Sequence, residues 1–161
     1  MPEDVAANEA LIERLYAAMN DGDGDAMAAC YAPDATFEDP AFGHLEDGRG
    51  QAMWRMLCSR AGGDLEVTLV ERRAEPGGTG TAHWLADYTF TETGRKVHND
   101  VHASFIFRDG LIAAHRDRFD LRVWGGQALG PIPGLLGYTP LLGLMVRRRT
   151  AGSLAGFMAK D

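Results

Sequence analysis

The sequence predicts an α+β fold: a cone-shaped, curved antiparallel sheet wrapped over three N-terminal helices, with a C-terminal extension. Three observations predict it. Apolar residues before residue 60 recur mainly at helical spacing. From Asp64 the pattern changes to alternation with a period of two. Turn signals at Pro76-Gly77-Gly78, Glu92-Thr93-Gly94 and Asp109-Gly110 then divide that half into successive strands. Helices first and strands afterwards is the α+β arrangement.

The elements follow in order. Asp4 is placed to cap a helix running to about Asn20, with Leu11, Ile12, Leu15, Tyr16 and Met19 on one apolar face. Gly22 ends it. Asp23 or Asp25 caps a short second helix through Tyr31, with Met27, Cys30 and Tyr31 as its apolar positions. Pro33-Asp34 breaks that helix, and Ala35 to Asp39 reads as a short strand. Pro40 cannot donate to a ladder, so the strand stops or lies at an edge there. A loop with Gly43, Gly48 and Gly50 leads to a third helix, Gln51 to Arg60, with Met53, Trp54, Leu57 and Cys58 inward. The predicted long strands are Leu65–Glu71, Thr79–Thr91, Lys96–Arg108 and Leu111–Leu121.

Composition narrows the functions available. The 161 residues suit one domain, divided here into a cone of 1–124 and an extension of 125–161. The net charge of −7 argues against a nucleic-acid surface, since those are usually basic. Cys30 and Cys58 sit beside apolar residues and read as buried, reduced thiols. Met1-Pro2-Glu3-Asp4 lacks the basic and apolar regions of a signal peptide. Pro131, Pro133 and Pro140 interrupt the apolar stretch from Gly125 to Val146, making it a poor membrane span. The expectation is a soluble, cytoplasmic protein.

Strand parity sorts the candidate site. In Lys96–Arg108, Val97, Asn99, Val101, Ala103, Phe105 and Phe107 share the inward face. His98 and His102 then face outward and read as solvated or interface histidines rather than metal ligands. In Thr79–Thr91, Trp84, Ala86, Tyr88 and Phe90 face inward, with His83 and Asp87 opposite. In Leu111–Leu121, Arg116, Arg118 and Asp120 form a fully charged face that must be wet. Ala113, His115, Asp117 and Phe119 therefore point inward. Positions two apart in a strand lie about 6.5–7 Å apart, close enough to share one small ligand. Asp39, Asp117 and His115 thus converge on a cavity lined by Phe37, Trp54, Trp84, Tyr88 and Val101. Burial raises a carboxyl pKa and yields an acid or base usable near neutral pH. A self-satisfied structural Asp–His or Asp–Tyr pair is the other reading of the same residues.

These residues resemble a known family. Tyr16-Ala17-Ala18-Met19-Asn20-Asp21-Gly22-Asp23, Tyr31 through Pro40, Phe105-Ile106-Phe107-Arg108-Asp109-Gly110-Leu111-Ile112 and His115-Arg116-Asp117-Arg118-Phe119-Asp120-Leu121 are similar to segments of the nuclear transport factor 2-like superfamily. Within it the chain resembles SnoaL-like, limonene-epoxide-hydrolase-like and ketosteroid-isomerase-like members, over roughly Leu11 to Trp124. The resemblance implies a ligand cone, a homodimer through the outer sheet face, and no metal or cofactor. Asp39 matches the general base of ketosteroid isomerases, but Leu15 and Ala103 stand where those enzymes carry oxyanion donors. Tyr16 is one position off. Asp117 resembles the second catalytic aspartate of the epoxide hydrolases, whose arginine and first aspartate fall at Trp84 and Ala86. That family's water-holding tyrosine and asparagine fall at Phe37 and Asp39.

The expected function is a pocket for a small apolar molecule. One form is a cofactor-independent acid–base enzyme of isomerase, cyclase or hydrolase type. In it Asp39, Asp117 and His115 are catalytic, and Tyr16, Phe37, Trp54, Trp84, Tyr88, Asn99 and Val101 bind substrate. The alternatives are a non-catalytic binding or dimerisation module, or a structural domain with a filled cone. The extension, with a helix from about Leu141 to Met158, packs over the sheet or a partner, closes the cavity as a flap, or touches a membrane surface through Arg147, Arg148 and Arg149.

Overall fold

The computed structural model describes residues 2–131 and 140–160. Helices α1 (Pro2–Asn20) and α2 (Gly24–Ala28) precede strands β1 (Tyr31–Asp39) and β2 (Gly43–Leu45), then α3 (Arg49–Arg60). Strands β3 (Glu66–Glu75), β4 (Thr79–Phe90), β5 (Arg95–Arg108) and β6 (Leu111–Arg118) follow. Helices α4 (Leu121–Leu129) and α5 (Pro140–Met158) close the chain. This is the expected α+β architecture. The turn-rich residues 134–139 of the extension lie outside the described residues.

The six strands form one sheet in the order β2-β1-β6-β5-β4-β3. All pairings are antiparallel except β1 with β6, which run parallel. Three register shifts bend the sheet: Leu69/Glu71 in β3, Ile106/Phe107 between β5 and β6, and Tyr31/Thr36 in β1. Bulges of this kind increase twist and curl a sheet into a cone. The core is the inner face, where Leu11, Ile12 and Leu15 of α1 and Met53 of α3 meet Phe37, Val101 and Phe105. Edge strand β3 is covered by α1. The Val67 N–H donates to Asn20 Oδ1 (2.8 Å) and the Ala74 N–H to Glu9 Oε1 (3.2 Å), which satisfies edge groups otherwise open to aggregation.

The local departures from expectation have physical reasons. Helix α1 begins at Pro2, so Asp4 lies within its first turn instead of capping it. Asp23 is the cap of α2, accepting from the Ala26 N–H at 3.0 Å. That helix ends at Ala28, and Tyr31 begins β1. The Ile112 N–H donates to the Cys30 carbonyl (2.9 Å), drawing this segment against β6. Pro33 is tolerated inside β1 because the ladder with β6 is interrupted between Tyr31 and Thr36. The expected glycine loop after Pro40 contains β2, three residues paired back on β1. The last strand stops at Arg118. Asp120 instead caps α4, its side chain accepting from the Arg122 N–H at 3.0 Å. Leu57, expected inward, does line the inner cavity but is 39% exposed there. Ala113 leaves the inward set, because the bulge places Ile112 in the core instead.

Gly24 marks the tightest approach between helices. A Cβ there would sit 2.6 Å from the Arg55 Cα, a backbone atom that cannot move aside alone. Gly24→Ala is expected to destabilise the protein by about 1–3 kcal/mol through overpacking at the α2–α3 contact. Urea denaturation of both proteins checks this, with unchanged stability as the contrary result.

Candidate functional site

The inner face carries a buried polar chain across three strands. Tyr31 opens β1, His115 and Asp117 lie on β6, and Trp84 lies on β4. The Tyr31 hydroxyl stands 2.8 Å from His115 Nδ1, and His115 Nε2 stands 2.8 Å from Asp117 Oδ1. Trp84 Nε1 donates to the same Asp117 oxygen at 3.4 Å. His115 and Asp117 are 2% and 3% exposed. Burial, and next the charge on Asp117, hold the Tyr31 hydroxyl well above its ordinary pKa of 10.0, so it keeps its proton. Its O–H therefore donates to Nδ1, and Nε2–H donates to Asp117. The imidazole is packed by Phe105 (ring centroids 4.4 Å apart), by the edge of Phe37 (5.0 Å) and by Trp54 (6.2 Å). Two buried polar atoms next to this chain lack a hydrogen-bond partner among the described residues: the Tyr16 hydroxyl and Trp54 Nε1. Tyr16 packs on Trp84 with ring centroids 5.2 Å apart. Its hydroxyl pKa is raised well above 10.0 by burial and by the Asp117 charge.

A cavity of about 250 Å³ opens in front of this chain. Its wall is largely apolar, with Trp54, Trp84, Phe119, Trp124, Val101 and Leu65 prominent. Asp39, Asn99, Asp117 and Tyr88 supply inward polar groups. Asp39 closes β1, and its Oδ1 accepts from the Ala41 N–H (2.9 Å) and the Phe42 N–H (2.6 Å) as the chain reverses into β2. Burial, which outweighs those two hydrogen bonds, pushes the Asp39 carboxyl from 3.8 up to about 7, and the negative Asp117 adds to the rise. Among the described residues Asp39 has no ion-pair partner. The Tyr88 hydroxyl accepts from Trp124 Nε1 at 2.9 Å, which leaves its own proton to donate. Burial and the charge of Asp39 hold that proton in place.

Of the residues singled out from the sequence, Asp39, Asp117, Trp54, Trp84, Tyr88, Asn99 and Val101 line the cavity. His115, Tyr16 and Phe37 do not. They stand in the layer behind it, where His115 orients Asp117 and Phe37 packs against Trp54 and His115. Leu15 and Ala103 are buried and apolar, so no oxyanion donor arises there. Sequence reading missed Tyr31 as the hydroxyl partner of His115, having placed it on a helix. It also missed Phe42, Met19, Leu129 and Trp124 in the wall. Phe119 had an available signal, its inward parity with Asp117. Trp124 had none, because α4 was not expected. From the extension, Val146, Arg149, Thr150 and Ser153 of α5 line the cavity. The Thr150 hydroxyl donates to the Ala41 carbonyl at 2.8 Å, next to Asp39. Arg149 pairs with Glu92. Helix α4 runs across residue 124, and Trp124 and Leu129 both face the cavity. Among the described residues no helix is long and apolar enough to cross a membrane.

A family model of the SnoaL-like domain matches residues 12–115, and the chain belongs to that family. Its fold is the nuclear transport factor 2-like cone. It is similar to an LEH-like epoxide hydrolase from M. tuberculosis, with a TM-score of 0.64 and 21% identity over 78% of this chain and 91% of that one. It is similar to TsrD from Streptomyces laurentii, with a TM-score of 0.65 and 26% identity over 78% and 97% of the two chains. It is also similar to TerC, crystallised with polyporic acid, with a TM-score of 0.63 and 20% identity over 75% and 97%. No curated protein matches the sequence.

The raised pKa of Asp39 has a consequence for stability. The folded state holds this proton more tightly than the unfolded chain does. The resulting stabilisation is complete below about pH 4 and is lost as pH rises through about 7. Above pH 7 the buried charge costs free energy that an amide would not. Asp39→Asn, whose Oδ1 can still accept the two backbone N–H groups, is expected to be more stable than the parent at pH 8. The gain is on the order of 1–3 kcal/mol, and there is little difference at pH 4. Urea denaturation at both pH values measures this. An equal effect at pH 4 and pH 8 would contradict it.

Proposed function

We propose that the protein binds a small, mostly apolar, carbonyl-bearing molecule in the cone and moves a proton on it with Asp39, without a cofactor. One observation carries the reading: a carboxyl raised to about 7, with no ion-pair partner among the described residues, at the wall of an aromatic-lined cavity. Near neutral pH both of its protonation states are populated, the condition in which one group serves as base and then as acid. Its Oδ1 is fixed by the Ala41 and Phe42 amides, which leaves Oδ2 to meet the ligand. Abstraction of a proton next to a carbonyl develops negative charge on the carbonyl oxygen. Tyr88, with a free hydroxyl proton, and the half-buried Asn99 amide are the donors suited to that oxygen. They take the place of the donors missing at Leu15 and Ala103. Asp117, held by His115 and Trp84, adds to the rise in the Asp39 pKa that burial sets. The crystallisation of TerC, a similar fold, with polyporic acid supports a small-molecule occupant.

One observation favours the second reading, a binder without chemistry. The Asp39 oxygen that accepts two backbone amides also builds the β1–β2 reversal, so its position has a structural use.

A panel of cyclic ketones in D₂O separates the two. Asp39-dependent deuterium wash-in beside the carbonyl, followed by proton NMR, is expected for the parent and weakened by about 10²–10⁴-fold in Asp39→Asn. Its apparent rate should rise with pH through about 7 as the base ionises. Ligand binding with no exchange, or exchange unchanged in the variant, would replace proton transfer with the binding reading.

A further inference from the structure

The outer face of the sheet holds a second constellation, separated from the cavity by the thickness of the strands. His83 on β4 and His102 on β5 stand directly opposite each other in the ladder. Asp100 lies two positions before His102 and so on the same face. His83 Nε2 is 2.7 Å from Asp100 Oδ1, and His102 Nε2 is 3.7 Å from the same oxygen. The two imidazoles stack with centroids 4.3 Å apart and planes 7° from parallel. The three ligand atoms all fall within 4.8 Å of one another. We propose that His83, Asp100 and His102 form a binding site for one first-row divalent metal ion, zinc or copper.

Three features support this. The donor set of two imidazoles and one carboxylate suits zinc and copper rather than magnesium or calcium, which favour oxygen ligands. Both histidines already present the same nitrogen to one point, and the paired strands fix the spacing of their Cβ atoms. The side chains have room to adjust. A metal needs about 2.0–2.2 Å to each ligand, so Asp100 withdraws from its hydrogen bond and the stacked rings tilt towards each other. All three lie at the surface, His83 less exposed than the others. His83 and His102 also line a depression of about 390 Å³ together with Glu71, Arg73, Ser104 and Arg118, among others. Arg118 stands opposite His102 in the β5–β6 ladder and opposes a cation. It therefore limits the affinity, as does Arg73 in the same depression. His98, also on the outer face, is engaged by Asp87 at 2.6 Å and lies outside the cluster. The outward pair visible from strand spacing, His98 and His102, is thus not the pair that converges. The partner of His102 comes from the neighbouring strand.

The test is calorimetric titration of zinc chloride into the full, untagged chain after chelator treatment. One ion per chain is expected. His83→Ala and His102→Ala should each weaken binding by at least about tenfold, since loss of even an outer-shell partner costs about 10–100-fold. His98→Ala should leave it unchanged, and Arg118→Gln should tighten it. With copper(II), electron paramagnetic resonance should show two nitrogen couplings, with one lost in each histidine variant. Circular dichroism confirms that these surface variants keep the fold. Absence of saturable one-to-one binding, or binding that survives both histidine changes, would overturn the proposal.

Discussion

An imidazole buried in an apolar core needs a donor for one nitrogen and an acceptor for the other, brought to it from opposite sides. His115 meets that requirement with Tyr31 and Asp117, and Trp84 adds a second donor to the carboxylate. The four residues come from β1, β6 and β4, so the requirement fixes how these strands lie across the cone. Removing one member of such a buried pair typically costs about 3–5 kcal/mol, because the partner is left desolvated and alone. The same strands carry the interruption in β1 and the bulge between β5 and β6. Tyr31 pairs with Ile112 at the start of β6, and the bulge brings Ile112 inward in place of Ala113 while His115 and Asp117 keep their inward parity.

That arrangement shapes the electrostatics of the cavity. Asp117 is buried at the cavity wall and is held by hydrogen bonds from His115 and Trp84. Asp39, at the far end of β1, faces the same space, and among the described residues it has no ion-pair partner. Burial and the Asp117 charge both raise its pKa, while the two backbone amides at the β1–β2 reversal limit the rise. Helix α5 contributes to the same enclosure. Thr150 is hydrogen-bonded to the Ala41 carbonyl, and Val146 covers the apolar side.

Much of this was legible in the sequence, for reasons that can be traced to particular residues. The period change at Asp64 marked the passage from helices to strands, and Asp109-Gly110 marked the last hairpin. The charged face of Arg116 and Arg118 forced His115 and Asp117 inward, since such a face cannot be buried. Asp39 before Pro40 marked a strand end at the cavity. Other features depended on pairings that a one-dimensional pattern does not carry. Tyr31 reads as a helical apolar position until β6 is placed beside it. The bulge that exchanges Ala113 for Ile112 depends on the register with Phe107. Strand β2 has only three residues and exists because β1 lies next to it. Helix α4, which brings Trp124 to Tyr88, was hidden because Leu121 also continues a strand pattern. The convergence of His83 on His102 required the β4–β5 register.

The central claim is that the cone holds a carboxyl group whose proton is shared with neutral solution because burial, reinforced by Asp117, has raised its affinity. Carbon-13 NMR of the labelled Asp39 carboxyl across pH, in the parent and in Asp117→Asn, measures this directly. The account predicts a midpoint near 7 in the parent and a lower one in the variant, where the neighbouring charge is gone. A midpoint near 3.8 in both proteins would contradict it.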